Sequence, residues 1–257
     1  MALIMKTAEY DCSIFERDIM SDIVRLDKYL ADLSVGSRSE VKKYIKKGQV
    51  RVGNQVIKDV GYKVDTKREV VYFDNKQLEY NKYIYLMLNK PAGVVSATQD
   101  NLHKTVIDLI DKKYHRNIFP VGRLDKDTEG LLLITNDGKL AHDLLSPKKQ
   151  IPKTYYAVID GRVTSREVME FEKGIKIDED FTTLPSKLKI LESGEASKVE
   201  ITIYEGKFHQ VKRMFEAVGM KVTYLKRISM ASLELDASLE LSSYRELTDD
   251  ELRMLKA

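Results

Sequence analysis

The chain has 257 residues, 43 Lys+Arg against 40 Asp+Glu for a formal net charge of +3, and 43% hydrophobic residues. This is the composition of an ordinary globular chain, and its length suggests about two domains. No apolar run reaches the roughly 18–20 residues of a membrane-spanning helix, no secretory signal is read at the N-terminus, and a lone Cys12 with four scattered His offers neither a disulfide nor metal-ligand spacing. The expectation is a cytoplasmic monomer with no membrane partner, no metal and no cofactor.

Residues 1–23 show no useful periodicity and are read as a tail without assigned role. The first module spans 24–68. Leu26, Tyr29, Leu30 and Leu33 recur at helical spacing, and Gly36 follows. Ser37-Arg38-Ser39-Glu40 has the form of a capping box. The helix it opens puts Val41, Tyr44 and Ile45 on one face and Lys42, Lys43, Lys46 and Lys47 around the other, with Gly48 as its stop. Val50, Val52, Gly53-Asn54 and Val56 read as a two-residue hairpin.

Charge is unevenly spread. Residues 24–68 hold 12 Lys/Arg against 5 Asp/Glu, whereas 233–251 hold 7 acidic residues and one Arg. Clustered positive charge suggests a polyanion partner, although a solvated basic face is the plainer alternative. Arg25-Leu26-Asp27-Lys28-Tyr29-Leu30, then Ser37-Arg38, then Ile45-Lys46-Lys47-Gly48-Gln49-Val50-Arg51-Val52, resembles an S4 domain. The resemblance implies a grip on structured RNA through Arg38, Lys42, Lys43, Lys46 and Lys47, with Arg25 and Arg51 beside them.

Residues 69–82 read as a linker containing one strand-like run, Val70–Phe73. The second module, 83–257, opens with an apolar strand candidate, Ile84–Leu88. A helix is expected over Val106–Lys113 with Thr105 near its cap, then a strand at Leu131–Ile134, a short helix around Leu140–Leu145 and a strand at Tyr155–Ile159. A second capping box, Thr164-Ser165-Arg166-Glu167, opens a helix to about Lys173; Val199, Ile201 and Ile203 alternate as in a half-buried strand; a helix follows from His209 to Val218. Strands outnumber helices without alternating strictly with them, so the fold class is α+β.

Between Gly122 and Gly130 stand Arg123, Asp125, Lys126, Asp127 and Glu129, directly before an apolar strand. A charged loop at the mouth of a buried strand is a common place to present catalytic groups, and equally a place for a solvated turn with local pairing. If the loop is extended, Asp125 and Asp127 point to opposite sides and only one faces a given cavity.

The order Gly122-Arg123-Leu124-Asp125-x-Asp127-Thr128-x-Gly130-Leu131-Leu132-Leu133 resembles the catalytic motif of RsuA-type ribosomal RNA pseudouridine synthases. Pro152-Lys153-Thr154-Tyr155 and Gly206–Phe215 resemble that family's second and third motifs. The resemblance implies a catalytic domain built on a mainly antiparallel mixed sheet with flanking helices, Asp125 as the essential carboxylate, Tyr155 packed on the target base, Arg123 as an RNA contact, and a cation beside Asp125 from either Lys212 or Arg213. It implies that Asp125 acts on the ribose, as nucleophile at C1′ or base at C2′, once the base has left the stack. Glu179–Thr183 and Lys207–Gln210 look most like the small-subunit (16S) type, which implies ribosomal RNA as partner, possibly within a partly assembled particle. The reaction needs no metal, nucleotide loop or dinucleotide motif, and none is read here. Three other readings stand beside it: a large-subunit (23S) target, a non-catalytic RNA-binding assembly factor, and a hydrolase using Asp125 and Asp127 as a carboxylate pair.

Overall fold

The computed structural model describes residues 23–257 except Ser34, Asn81 and Arg116. The expected tail, 1–23, therefore lies outside the described residues but for Ile23. The chain divides between Lys82 and Tyr83 into two compact units.

In the first unit, strand β1 (Ile23–Arg25) leads into helix α1 (Leu26–Asp32), and α2 (Arg38–Lys46) follows. The Ser37–Glu40 capping box forms in both directions. Strands β2 (Val50–Val52), β3 (Gln55–Val56), β4 (Lys63–Asp65), β5 (Val71–Phe73) and β6 (Lys76–Leu78) complete the unit: β1 pairs with β4, and the others form a sheet in the order β3-β2-β5-β6. Leu26, Tyr29, Leu30, Val41, Ile45, Val50, Val64 and Val71 are the buried core.

Residues 69–82 are not a linker. Asp74 and Asn75 both take positive φ, the conformation of a two-residue hairpin turn that Asp and Asn tolerate. The turn folds β6 back on β5, the Tyr29 hydroxyl donates to the carbonyl of Leu78 at 3.1 Å, and Tyr80 stacks on Tyr29 with centroids 4.6 Å apart. The chain stays in the first unit's core until Tyr80.

The second unit contains β7 (Tyr85–Lys90), β8 (Phe119–Pro120), β9 (Glu129–Thr135), α3 (Gly138–Leu145), β10 (Lys153–Asp160), α4 (Ser165–Lys173), β11 (Lys176–Asp178), β12 (Phe181–Thr182), β13 (Lys187–Glu192), β14 (Ala196–Ile203), α5 (Gln210–Ala217), β15 (Lys221–Met230), β16 (Leu233–Glu234), β17 (Tyr244–Glu246) and α6 (Asp249–Lys256). Among the described residues, nine strands form one sheet, β13-β14-β10-β15-β9-β7-β17, with β16 on β15 and β8 on β9. Every pairing in it is antiparallel except β15 with β9.

Alternate residues of β7 and β9 enter two cores. Leu86, Leu88, Leu132 and Ile134 face α4 and α5 through Phe171, Met214 and Phe215; Met87, Leu131 and Leu133 face α3 and α6 through Leu140, Leu144 and Leu255. Burial on both faces explains why these central strands read as continuous apolar runs.

The helix expected over Val106–Lys113 is instead two 3₁₀ turns, Ile107–Leu109 and Lys112–Tyr114, separated by extended Ile110 and Asp111. Thr105 and Asp108 exchange hydrogen bonds as a cap would. The β-branched Val106, Ile107 and Ile110 favour helix weakly, and all three are buried in the core, so packing overrides the helical spacing.

Candidate active site

The loop 121–128 joins β8 to the buried strand β9 and is held from beneath. Lys90, fully buried at the end of β7, points its ammonium at the carbonyls of Asp125 (3.0 Å), Lys126 (3.3 Å), Thr128 (2.8 Å) and Pro91 (3.0 Å). The Ser96 hydroxyl donates to the carbonyl of Leu124 at 2.9 Å and accepts from its N–H at 3.1 Å. The N–H of Gly93 donates to the carbonyl of Lys126 at 2.7 Å. With these carbonyls engaged inward, the Arg123, Asp125, Lys126 and Asp127 side chains remain on the open side of the loop, while Val121, Leu124 and Thr128 are buried.

Asp125 and Asp127 do not splay apart as an extended segment would require. The N–H of Thr128 donates back to the carbonyl of Asp125 at 3.1 Å, and this turn lets both carboxylates reach one cation. Lys212 Nζ, from α5, lies 3.3 Å from Asp125 Oδ2 and 2.6 Å from Asp127 Oδ1. Burial works against the Lys212 charge, but its hydrogen bond to Asp127 and the two carboxylates outweigh it and raise its pKa. The same hydrogen bond holds the Asp127 carboxyl below the usual range. Asp125 is the more enclosed acid, its side chain 25% exposed against 69% for Asp127.

Asp125 opens on a cavity of about 130 Å³ lined also by Arg123, Lys153, Tyr155, Lys207, His209 and Arg227. Tyr155 is 8% exposed, on β10, in register with Ile201 of β14 and Arg227 of β15. His209 approaches from the N-terminal side of α5, its Nε2 3.7 Å from Asp125 Oδ1. Its φ of +50° turns the chain so that the Phe208 ring, 75% exposed, stacks on the imidazole with centroids 3.8 Å apart.

Asp125, Tyr155, Arg123 and the Lys212 cation are thus brought together. Arg213 is not: its guanidinium donates to the Ile177 carbonyl and to Asp178, 2.7 and 2.6 Å away. On a helix, successive residues point about 100° apart, so only one of the Lys212-Arg213 pair reaches Asp125. In the first unit Arg38, Lys42, Lys43, Lys46 and Lys47 are exposed on or beside α2. Arg25 is exposed but paired bidentately with Asp27, and the Arg51 guanidinium lies 3.9 Å from the centre of the Tyr72 ring and also donates to the Gly53 carbonyl.

Sequence reasoning leaves Lys90, Lys153, His209 and Arg227 without roles. Lys90 carries one usable signal, a charge closing an otherwise apolar strand. Among the described residues, no group of three or more His, Cys, Asp or Glu is arranged to hold a metal ion, and no helix is long and apolar enough to cross a membrane.

The RNA pseudouridylate synthase family model matches residues 84–217, and the S4 domain model matches residues 24–70. The chain belongs to the RNA pseudouridine synthases, the isomerases that convert uridine in RNA to pseudouridine, and carries an S4 RNA-binding domain ahead of the catalytic one. It is 47% identical to the uncharacterized RNA pseudouridine synthase YtzG of Bacillus subtilis over 90% of this chain and 98% of that one. It is 40% identical to ribosomal small subunit pseudouridine synthase A of Vibrio vulnificus (89% and 98% covered) and 39% identical to ribosomal large subunit pseudouridine synthase B of Bacillus subtilis (91% and 96%). A crystal structure of a pseudouridylate synthase aligns with a TM-score of 0.64 at 35% identity, over 90% of this chain and 99% of that one.

Proposed function

We propose that this enzyme isomerises one uridine of small-subunit (16S) ribosomal RNA, with Asp125 acting on the ribose. The observation that carries the site assignment is that Asp125 and Tyr155 line one cavity while the Lys212 ammonium lies 3.3 Å from the Asp125 carboxylate. A uridine turned out of its stack enters ring-first against Tyr155, with its C1′ toward the Asp125 carboxylate. Lys212 orients that carboxylate, and the enclosing walls keep the detached base from exchanging with water. Arg123 meets the backbone at the mouth. The exposed lysines of α2 supply phosphate contacts that add affinity without reading sequence.

Relatives named for the small and the large subunit are almost equally similar to this chain. The 16S choice rests on the segments Glu179–Thr183 and Lys207–Gln210. The test is to react naked 16S RNA, naked 23S RNA and partly assembled small subunits, all from a strain lacking the gene, with the purified protein and to map pseudouridine by carbodiimide primer extension. A single new stop in 16S RNA is expected. A stop confined to 23S RNA assigns the enzyme to the large subunit.

A further inference from the structure

The cavity beside Asp125 has a charge imbalance that orienting one carboxylate does not require. Among the described residues Asp125 is the one carboxylate lining it, and Lys212 already engages that acid; the lining also holds Arg123, Lys153, Lys207 and Arg227. Arg123 and Lys207 belong to loops. Arg227 is different: it is 2% exposed, its Nε donates to the carbonyl of Leu131 at 2.8 Å, and its NH2 nitrogen is buried without a hydrogen-bond partner. Lys153 shares the Tyr155 face of β10, partly buried, and donates to the carbonyl of Ile151 at 2.9 Å. Among the described residues neither cation has a carboxylate within ion-pair distance. Thr128 Oγ1, also lining the cavity, is likewise buried and without a partner.

An unpaired buried guanidinium beside a second cation is costly unless something anionic arrives to meet it. The reaction makes such a species. When the C1′–N1 bond breaks, its electron pair stays on the base, which becomes a uracilate anion with charge spread over its ring nitrogens and carbonyl oxygens. The anion is consumed when C5 bonds to C1′, the C5 proton departs and N1 takes up a proton. We propose that Arg227 and Lys153 are the electrostatic cradle of this detached base, donating to its carbonyl oxygens as the negative charge develops. A fixed donor aimed where charge appears favours the transition state over the neutral substrate. Burial, then the neighbouring Arg227, push the Lys153 ammonium down to about 8, which fits a cation waiting for a counter-charge.

The inference rests on the Asp125 cavity being the place of reaction. It is tested by titrating uracil and 6-azauracil, whose extra ring nitrogen makes it a far stronger acid, into the full-length protein at a pH where only the analogue is ionised. Wild type should bind 6-azauracil about tenfold or more tighter than uracil. Lys153→Met should abolish that preference and lower kcat about 10²-fold with the RNA KM unchanged; Arg227→Lys, keeping the charge, should retain part of both. Unfolding curves check that the variants fold. Equal affinity for the two bases in wild type, or an undiminished preference in folded Lys153→Met, overturns the cradle. An Asp125→Asn protein that still turns over overturns the site assignment instead, so the two failures are separable.

Discussion

A methyl group placed on Gly130 would stand 2.2 Å from the carbonyl oxygen of Arg227 and 2.8 Å from its nitrogen. These two residues face each other across the parallel pairing of the nine-stranded sheet, Arg227 with Gly130. Gly130 also has φ +100°, which L side chains rarely adopt. The close approach sets Arg227 beside the strand that begins where the Asp125 loop ends. Gly130→Ala should therefore cost about 3 kcal/mol or more, or prevent folding. Gly138→Ala is the control: at the start of α3 an added methyl meets nothing within 4 Å, and it should leave stability unchanged or raised by up to ~1 kcal/mol. Denaturant unfolding of the two variants distinguishes them.

Lys90 should behave as the scaffold of the loop. Lys90→Met keeps the side chain's length but removes the donor shared by four carbonyls. Buried acceptors left unpaired cost about 3 kcal/mol or more, and a shifted Asp125 should lower kcat about 10²-fold. Lys90→Arg should not rescue activity, because a planar fork cannot fill a cage built for a point charge. Single-turnover kinetics together with unfolding curves read both effects.

The C-terminal segment gives an acid-sensitive contribution to stability. Arg245 holds Asp236 through Nε at 2.7 Å and Glu251 through both terminal nitrogens at 2.8 Å. Hydrogen bonds from Ser238 and Arg245 pull Asp236 down to about 2, and the Arg245 pair does the same for Glu251. A depressed carboxyl stabilises the fold above its unfolded pKa of about 4 and stops doing so as pH falls toward 2. Arg245→Leu should lower stability at pH 7 and flatten the loss between pH 5 and pH 2, as measured by circular dichroism melts across that range.

The basic face of α2 should account for part of the salt dependence of RNA binding. Replacing Lys42, Lys43, Lys46 and Lys47 with Glu should weaken affinity and make the log–log salt slope shallower by about 0.7–0.9 for each phosphate that is no longer neutralised. An unchanged slope would assign the RNA grip elsewhere.

What is legible in the sequence is whatever local rules control. The Ser37 and Thr164 capping boxes, the two-residue Gly53-Asn54 turn and the alternation of Val199, Ile201 and Ile203 all take the conformations their spacing implies. The second hairpin escapes such a reading because Asp74 and Asn75 look like polar spacer, whereas their tolerance of positive φ makes a tight turn. At 106–113, tertiary burial overrides helical periodicity. Asp125, Tyr155 and Lys212 stand out through a long motif. Lys153 lies in the second motif but carries no role there, and Lys90 and Arg227 lie in none, because pattern reading assigns charged side chains to solvent, and their burial follows from strand pairings between residues far apart in the chain.

If the Asp125 carboxylate performs the isomerisation, Asp125→Asn should abolish it, because the swap keeps the side chain's shape while removing its charge. Pseudouridine formation in ribosomal RNA and equilibrium RNA binding should be measured on the same preparation. No detectable product is expected, with affinity nearly unchanged; a variant that modifies RNA at the wild-type rate would show that another group does the chemistry.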